Sequence, residues 1–349
     1  MKTRAITPDP SARPSPVIAC LDRSHHAAGV LAHAVAMAEA FDAPLRVVQA
    51  IEPPTEAENR PDPLDWAIRR IEAREALKNV VVTIVGPDRA AAIDVSLLHG
   101  RAGGEIRREC RRQGAGLVVM GMHGEHAAGP PNGLGTTARE VLENGAGMVL
   151  IATGTANDLR RCCRHILVPL DGSAWSETAL PVAMRIARAT GAGITLAQVV
   201  AAPDPAGAMP PEREDIDLRT RLVDRDARVA GAHLEQLRRA LLDQGIAARA
   251  LTLRGDGVRA ALSSLLGEET FDLVVMSACG HGGARSPDHR CGGVAGHLAA
   301  HSPVPVLIMK LSAAQGMRAS DDASTGMPGR MPVPPAEIHL AAAMAGTNR

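Results

Sequence analysis

The sequence predicts an α/β fold: two tandem, doubly wound domains, each a parallel sheet flanked by helices. Three observations carry that expectation. The 349 residues suggest about two domains at roughly 100–200 residues each. The chain also repeats itself. Leu117-Val118-Val119-Met120 recurs as Leu273-Val274-Val275-Met276, Val149-Leu150-Ile151 as Val306-Leu307-Ile308, and Asp22-Arg23-Ser24 as Asp171-Gly172-Ser173. The offsets of 156, 157 and 149 residues far exceed a solenoid period, so the repeating unit is a whole domain. Third, each half alternates short Val/Ile/Leu-rich runs with longer helical stretches, which is how a parallel sheet covered on both faces reads.

In the first half the expected strands are Val17–Leu21, Leu45–Ile51, Ile93–Leu98, Leu117–Met120 and Met148–Ala152. In the second they are Ile166–Leu170, Ile194–Val200, Ala247–Leu253, Leu273–Met276 and Val304–Met309. Ala27–Ala40 and Glu177–Ala189 have helical length and Ala-rich composition. Residues 1–14 and 313–349, rich in Pro, Gly, Ser, Ala and Asp, are expected to be disordered arms. The domains are expected at 15–153 and 164–312. The connection at 154–163 leads through polar, basic residues toward Arg164 and reads as a linker.

Composition excludes several functions. Lys+Arg and Asp+Glu both number 38, for a net charge of zero, which disfavours a globally basic nucleic-acid binder. Two Phe, two Trp and no Tyr leave no aromatic platform for stacking bases. The core must be aliphatic, helped by thirteen Met. Six Cys are too few for a disulfide framework. Lys2 and Arg4 are followed by Pro8, Pro10, Pro14 and Pro16 and not by an apolar signal segment. No stretch approaches the ~20 apolar residues of a membrane helix. A cytoplasmic protein without nucleic-acid or membrane partners is expected.

Ligands of open parallel sheets bind beyond the carboxyl ends of the strands, where strand order reverses. The loops after strands one and four are therefore the candidates. Asp22 and Asp171 follow strand one and could accept hydrogen bonds from a base amino group or a ribose hydroxyl. Asp and Ser there are equally ordinary helix caps. After strand four come Gly121-Met122-His123-Gly124, ten further residues, and Gly135-Thr136-Thr137 opening a helix. Glycines let backbone N–H groups approach an anion, and a helix N-terminus favours phosphate. The competing reading is a flexible Gly/Pro loop with Thr136 as a simple cap.

These residues carry a resemblance. Ile166-Leu167-Val168-Pro169-Leu170-Asp171-Gly172-Ser173, with Ser176-Glu177-Thr178-Ala179-Leu180 behind it, resembles the opening of a universal stress protein domain. Gly121-x2-Gly124-x10-Gly135-Thr136 is similar to that family's glycine signature, G-x2-G-x9-G-[S/T], with one extra residue. Pro303–Ile308 resembles its last strand. The resemblance implies strand order 3-2-1-4-5 in each half and, in one branch of the family, adenine nucleotide binding. It assigns Asp22 and Asp171 to the nucleotide and the backbone at Ala50 and Val199 to adenine. The phosphates fall to Gly121, His123, Gly124, Gly135, Thr136 and Thr137. It also implies that the two final strands, apolar edges prone to pairing, lie against each other within one chain, with a homodimer as a further possibility. The second half keeps Gly280 but has Ser277 for the first glycine and Gly293 for the hydroxyl residue. Its site is expected to be degenerate.

Other patterns weigh less. Gly133-x-Gly135-x-x-Ala138 is misplaced for a dinucleotide fingerprint, and no Walker loop or nucleophile elbow is present. Cys279, His281, His289 and Cys291 suit zinc in type but not in spacing, so no metal is expected. Cys162-Cys163 sits among Arg160, Arg161 and Arg164, a setting that favours thiolate. The resulting expectation is a stress-linked regulator or binding module, not a fast enzyme. It would bind ATP, with or without Mg2+, in its N-terminal half and act through an unidentified protein partner. Slow hydrolysis through His123 stays open. A nucleotide-free scaffold and a metal or thiol redox sensor centred on Cys279 and Cys291 are the alternatives.

Overall fold

The computed structural model describes residues 15–52, 63–124, 133–145, 147–153, 163–201, 213–280 and 291–310. Both expected arms and the linker up to residue 162 lie outside these residues. The first half contains β1 (Val17–Cys20), α1 (Ala27–Ala40), β2 (Leu45–Ile51), α2 (Pro63–Val85), α3 (Pro87–Ala90), β3 (Asp94–His99), α4 (Ala102–Gln113), β4 (Leu117–Gly121), α5 (Thr136–Asn144) and β5 (Met148–Ala152). The second contains β6 (His165–Leu170), α6 (Ala174–Glu177), α7 (Ala179–Thr190), β7 (Gly193–Ala201), α8 (Arg213–Asp243), β8 (Ala248–Gly255), α9 (Val258–Glu268), β9 (Leu273–Ser277), α10 (Gly293–His301) and β10 (Val306–Met309).

The strands form one ten-stranded sheet in the order β3-β2-β1-β4-β5-β10-β9-β6-β7-β8. Each half therefore has the expected order 3-2-1-4-5, with parallel pairing throughout. The halves meet at the antiparallel pair of β5 and β10, where Ile151 faces Val306 and Met148 faces Met309. The two final strands do lie together in one chain. Because that pair is antiparallel, the carboxyl ends of the strands in the two halves point in opposite directions.

Alternation sorts side chains to the two faces. Leu117 and Val119 join α1, α2, α7 and α8 on one face, while Val118 and Met120 join α4, α5, α9 and α10 on the other. Leu150 and Leu307, opposite each other in the central pair, are both 0% exposed. Each such side chain contributes about 1.5–3 kcal/mol of burial, so the seam is core and not a surface contact. Arg185 of α7 adds a polar stitch: it donates to Ala40 O at 3.3 Å and Phe41 O at 2.6 Å and lies over the Phe41 ring. These carbonyls end α1, where a cation also complements the helix dipole. Among the described residues no helix is long and apolar enough to cross a membrane.

Candidate functional site

At the carboxyl end of β1, Asp22 Oδ1 accepts from Ser24 N at 3.0 Å and Ser24 Oγ at 2.6 Å. Its Oδ2 faces the loop after β4, since a Cβ built on Gly124 would stand 3.2 Å away. That loop is closed by Gly135 N donating to Met122 O at 2.9 Å. A Cβ on Gly135 would lie 3.1 Å from Met122 O, and one on Gly121 3.3 Å from His123 O. Glycine is present at these positions because the backbone crosses itself at contact distance.

Gly135, and not Thr136, is the N-cap of α5, and no cap side chain bonds to the first turn. The simple-cap reading of Thr136 therefore fails. Thr136 opens the helix and Thr137 follows it, beside first-turn N–H groups that suit an anion. His123 Nε2 is buried without a hydrogen-bond partner among the described residues. Ala50 sits one residue from the end of β2, opposite Leu98 of β3. Residues 125–132 of the loop lie outside the described residues.

The second half rebuilds the same frame. Asp171 Oδ1 accepts from Ser173 N at 3.0 Å and Ser173 Oγ at 2.5 Å, and a Cβ on Gly280 would overlap Asp171 Oδ2. Ser173 Oγ also caps α6 by accepting from Ser176 N at 3.2 Å, so here the capping reading holds. Gly292 N donates to Ala278 O at 2.6 Å, the counterpart of the closing bond in the first half. A cavity of about 350 Å³ opens there, lined by Asp171, Ser176, Val199, Met276 and Cys279 among others.

What differs is the start of the last helix. A Cβ on Gly293 would stand 2.5 Å from Arg259 Nη2, so a guanidinium lies where the first half has the Thr136 side chain. Composition at the loop alone does not reveal this exchange, because Arg259 belongs to α9. A second feature missed from sequence is Gln198 of β7. Its Oε1 is buried and unpartnered among the described residues, and its Nε2 would lie 3.3 Å from a Cβ on Gly172. Apolar flanks on both sides of that residue concealed it.

Burial raises the thiol of Cys279 and takes that of Cys291 to about 11, with Lys310 opposing weakly. Both are thus thiols, not thiolates, at neutral pH. His281 and His289 lie outside the described residues, among which no group of three potential metal ligands is found. Cys163 is half-buried and Cys162 lies outside. Three arginines of α4 are tied to carboxylates: Arg107 to Glu140 at 3.2 Å, Arg108 to Glu105, and Arg112 to Glu109 at 2.7 Å.

The chain matches the universal stress protein family over residues 15–153 and again over 163–310. No curated protein matches it. Among solved structures, a universal stress protein from Archaeoglobus fulgidus DSM 4304 is similar at 17% identity and a TM-score of 0.59, covering 86% of this chain and 98% of that one. A protein from Pseudomonas aeruginosa UCBPP-PA14 is similar at 14% identity and a TM-score of 0.54, covering 89% of this chain and 98% of that one. A universal stress protein in complex with cAMP reaches 24% identity and a TM-score of 0.27, covering 43% of this chain and 99% of that one.

Proposed function

Because the chain belongs to the universal stress protein family, with two tandem domains, we propose that it is a cytoplasmic stress-response binding module holding ATP in its N-terminal domain. One observation carries the reading: three elements converge at the switch point. Asp22 after β1, the Gly121–Gly124 turn after β4 and the uncapped start of α5 meet within contact distance. The helix start offers N–H donors to a phosphate chain, and glycine at 121 and 135, where a Cβ would crowd backbone oxygens, lets the loop close beside it.

In this reading the N–H groups at Gly124, Thr136 and Thr137 and the Thr136 hydroxyl hold the phosphates. His123 Nε2 gains a partner, Asp22 accepts from a ribose hydroxyl, and the backbone at Ala50 meets adenine. Mg2+ arriving with ATP would neutralise phosphate charge. A binder fits better than a fast enzyme. His123, whose Nε2 is buried without a partner among the described residues, is the side chain through which any slow hydrolysis would run.

The test is to denature freshly purified protein and identify released small molecules by mass spectrometry. The reading expects adenine nucleotide. Protein that releases none, and retains none after incubation with ATP, would be a nucleotide-free scaffold.

A further inference from the structure

We propose that a second copy of this chain docks on the exposed face of α8, the two helices packing antiparallel to make a homodimer. The proposal is independent of any ligand and of the seam between β5 and β10. It stands on an exposed apolar stripe and on charges that complement themselves across a two-fold axis.

The inner face of α8, with Ala230, Leu234, Leu237 and Leu241, is buried, and Arg254 of β8 holds Asp224 at 2.8 Å. From Glu214 to Leu222 every residue except Arg219 is exposed, so about two and a half turns of helix stand outside the core. A helix that short is marginal in water without packing. Yet this part of α8 carries apolar side chains: Leu218 is 58% exposed, Leu222 38% and Val229 61%. Asp215, Leu218, Leu222, Arg225 and Val229 recur at spacings of three and four, the seam of a helix pair. That seam is turned about 120° away from the inner face, open to the outside.

The order of residues along the seam selects the partner. In an antiparallel pair with its two-fold axis at Thr220, Leu218 meets Leu222 of the second copy and Asp215 meets Arg225. Each match occurs twice, and Glu214 flanks Arg228. A register one heptad away would set Leu222 against Arg225 and lose both matches. The other long helix gives the contrast. On α2, Leu64, Ile68 and Ile71 form a similar stripe, 66%, 45% and 64% exposed, but it runs on into Glu75 and Lys78, which pair with each other at 3.1 Å. Setting Ile68 against Ile71 there puts Leu64 against Glu75. Self-complementarity thus belongs to α8 and not to α2. A contact between two single helices is at the small end of protein interfaces, and Arg221 of each copy approaches the other near the axis, so association in the micromolar range is expected.

Sedimentation of the full chain over a concentration series tests this. The parent should pass from monomer to dimer in the micromolar range, and Leu222→Arg should leave it monomeric. Arg225→Glu sets a carboxylate against Asp215 of the second copy and should weaken the dimer at least about tenfold, because like charges facing across an interface repel. Adding Asp215→Arg reverses the pair and should recover most of that loss, which a merely damaged helix would not do. Ile68→Arg on α2 should leave the dimer unchanged. All four positions are exposed, so the substitutions leave the core intact. A parent that stays monomeric through the micromolar range, a dimer indifferent to Leu222→Arg, a double reversal no tighter than Arg225→Glu alone, or a dimer lost on Ile68→Arg would each overturn the proposal.

Discussion

A single methyl group is enough to disturb the N-terminal loop. At Gly135 the added Cβ would lie 3.1 Å from Met122 O, a backbone atom that cannot swing aside. Gly135→Ala should loosen the closing hydrogen bond, cost about 1 kcal/mol and weaken ATP binding. Parallel denaturation and ATP titration of that variant check both; an unchanged affinity would contradict the cradle. A second residue-scale prediction concerns pH. His233 Nε2 lies 3.0 Å from Glu177 Oε1, and this hydrogen bond raises the imidazole pKa while partial burial opposes it. A raised folded pKa gives stability that is complete below the unfolded value of about 6.5 and is lost as pH rises through the folded pKa. Both side chains are about a third exposed, at 33% and 32%, so screening limits the contribution to about 1 kcal/mol or less. Calorimetric unfolding between pH 6 and 8.5 should show a small fall in Tm that His233→Gln removes; the same fall in both proteins would contradict it.

At the scale of elements, the join of α4 to β2 depends on a charge cluster. Glu109 is 5% exposed and is held by Arg46 at 3.2 Å and Arg112 at 2.7 Å, while Arg46 also reaches Asp94 at 2.7 Å. Arg46→Met leaves Glu109 with Arg112 and Gln113. We expect a loss of about 1–3 kcal/mol in chemical denaturation, less than the 3–5 kcal/mol of a fully stripped buried charge. Strands were the legible elements: two-sided burial writes them as apolar runs, and all ten lie within two residues of their expected bounds. Helix lengths were less legible. The first turns of α2 and α8 are exposed, and regular burial begins only at Ala73 and Ala230, so no apolar stripe marks where they start. The expected helix Glu177–Ala189 is broken between α6 and α7. Pro181 supplies no N–H to Glu177 O, and its ring would crowd that carbonyl in a continuous helix. Pro169 acts similarly in a strand: β6 pairs β9 only at Ile166 and Leu167, short of the missing donor. At the sites, the loop residues were readable because motif and strand end coincide. The placement of Arg259 beside Gly293 was not, because it depends on packing between two helices distant in sequence.

For the whole molecule, one antiparallel strand pair makes two domains into one sheet, with the candidate sites opening at opposite ends. Separately expressed halves, 15–153 and 163–310, should associate in analytical ultracentrifugation, and Leu150→Asp in the first should abolish that by placing a charge in the seam. Halves that ignore each other would contradict the account. The arrangement also lets a change in one domain's loop leave the other's intact. Gly280→Asp illustrates this: its side chain would collide with Asp171 and deform the C-terminal loop, yet leave the N-terminal cradle intact. The central claim is that the N-terminal domain holds ATP, and calorimetric titration of ATP into the parent, Gly124→Asp and Gly280→Asp chains tests it most directly. An aspartate at 124 would set a carboxylate beside Asp22 and against the phosphates. The account predicts tight ATP binding to the parent and Gly280→Asp chains, weakened at least about tenfold in Gly124→Asp. Undiminished ATP binding in Gly124→Asp, or binding lost only in Gly280→Asp, would contradict it.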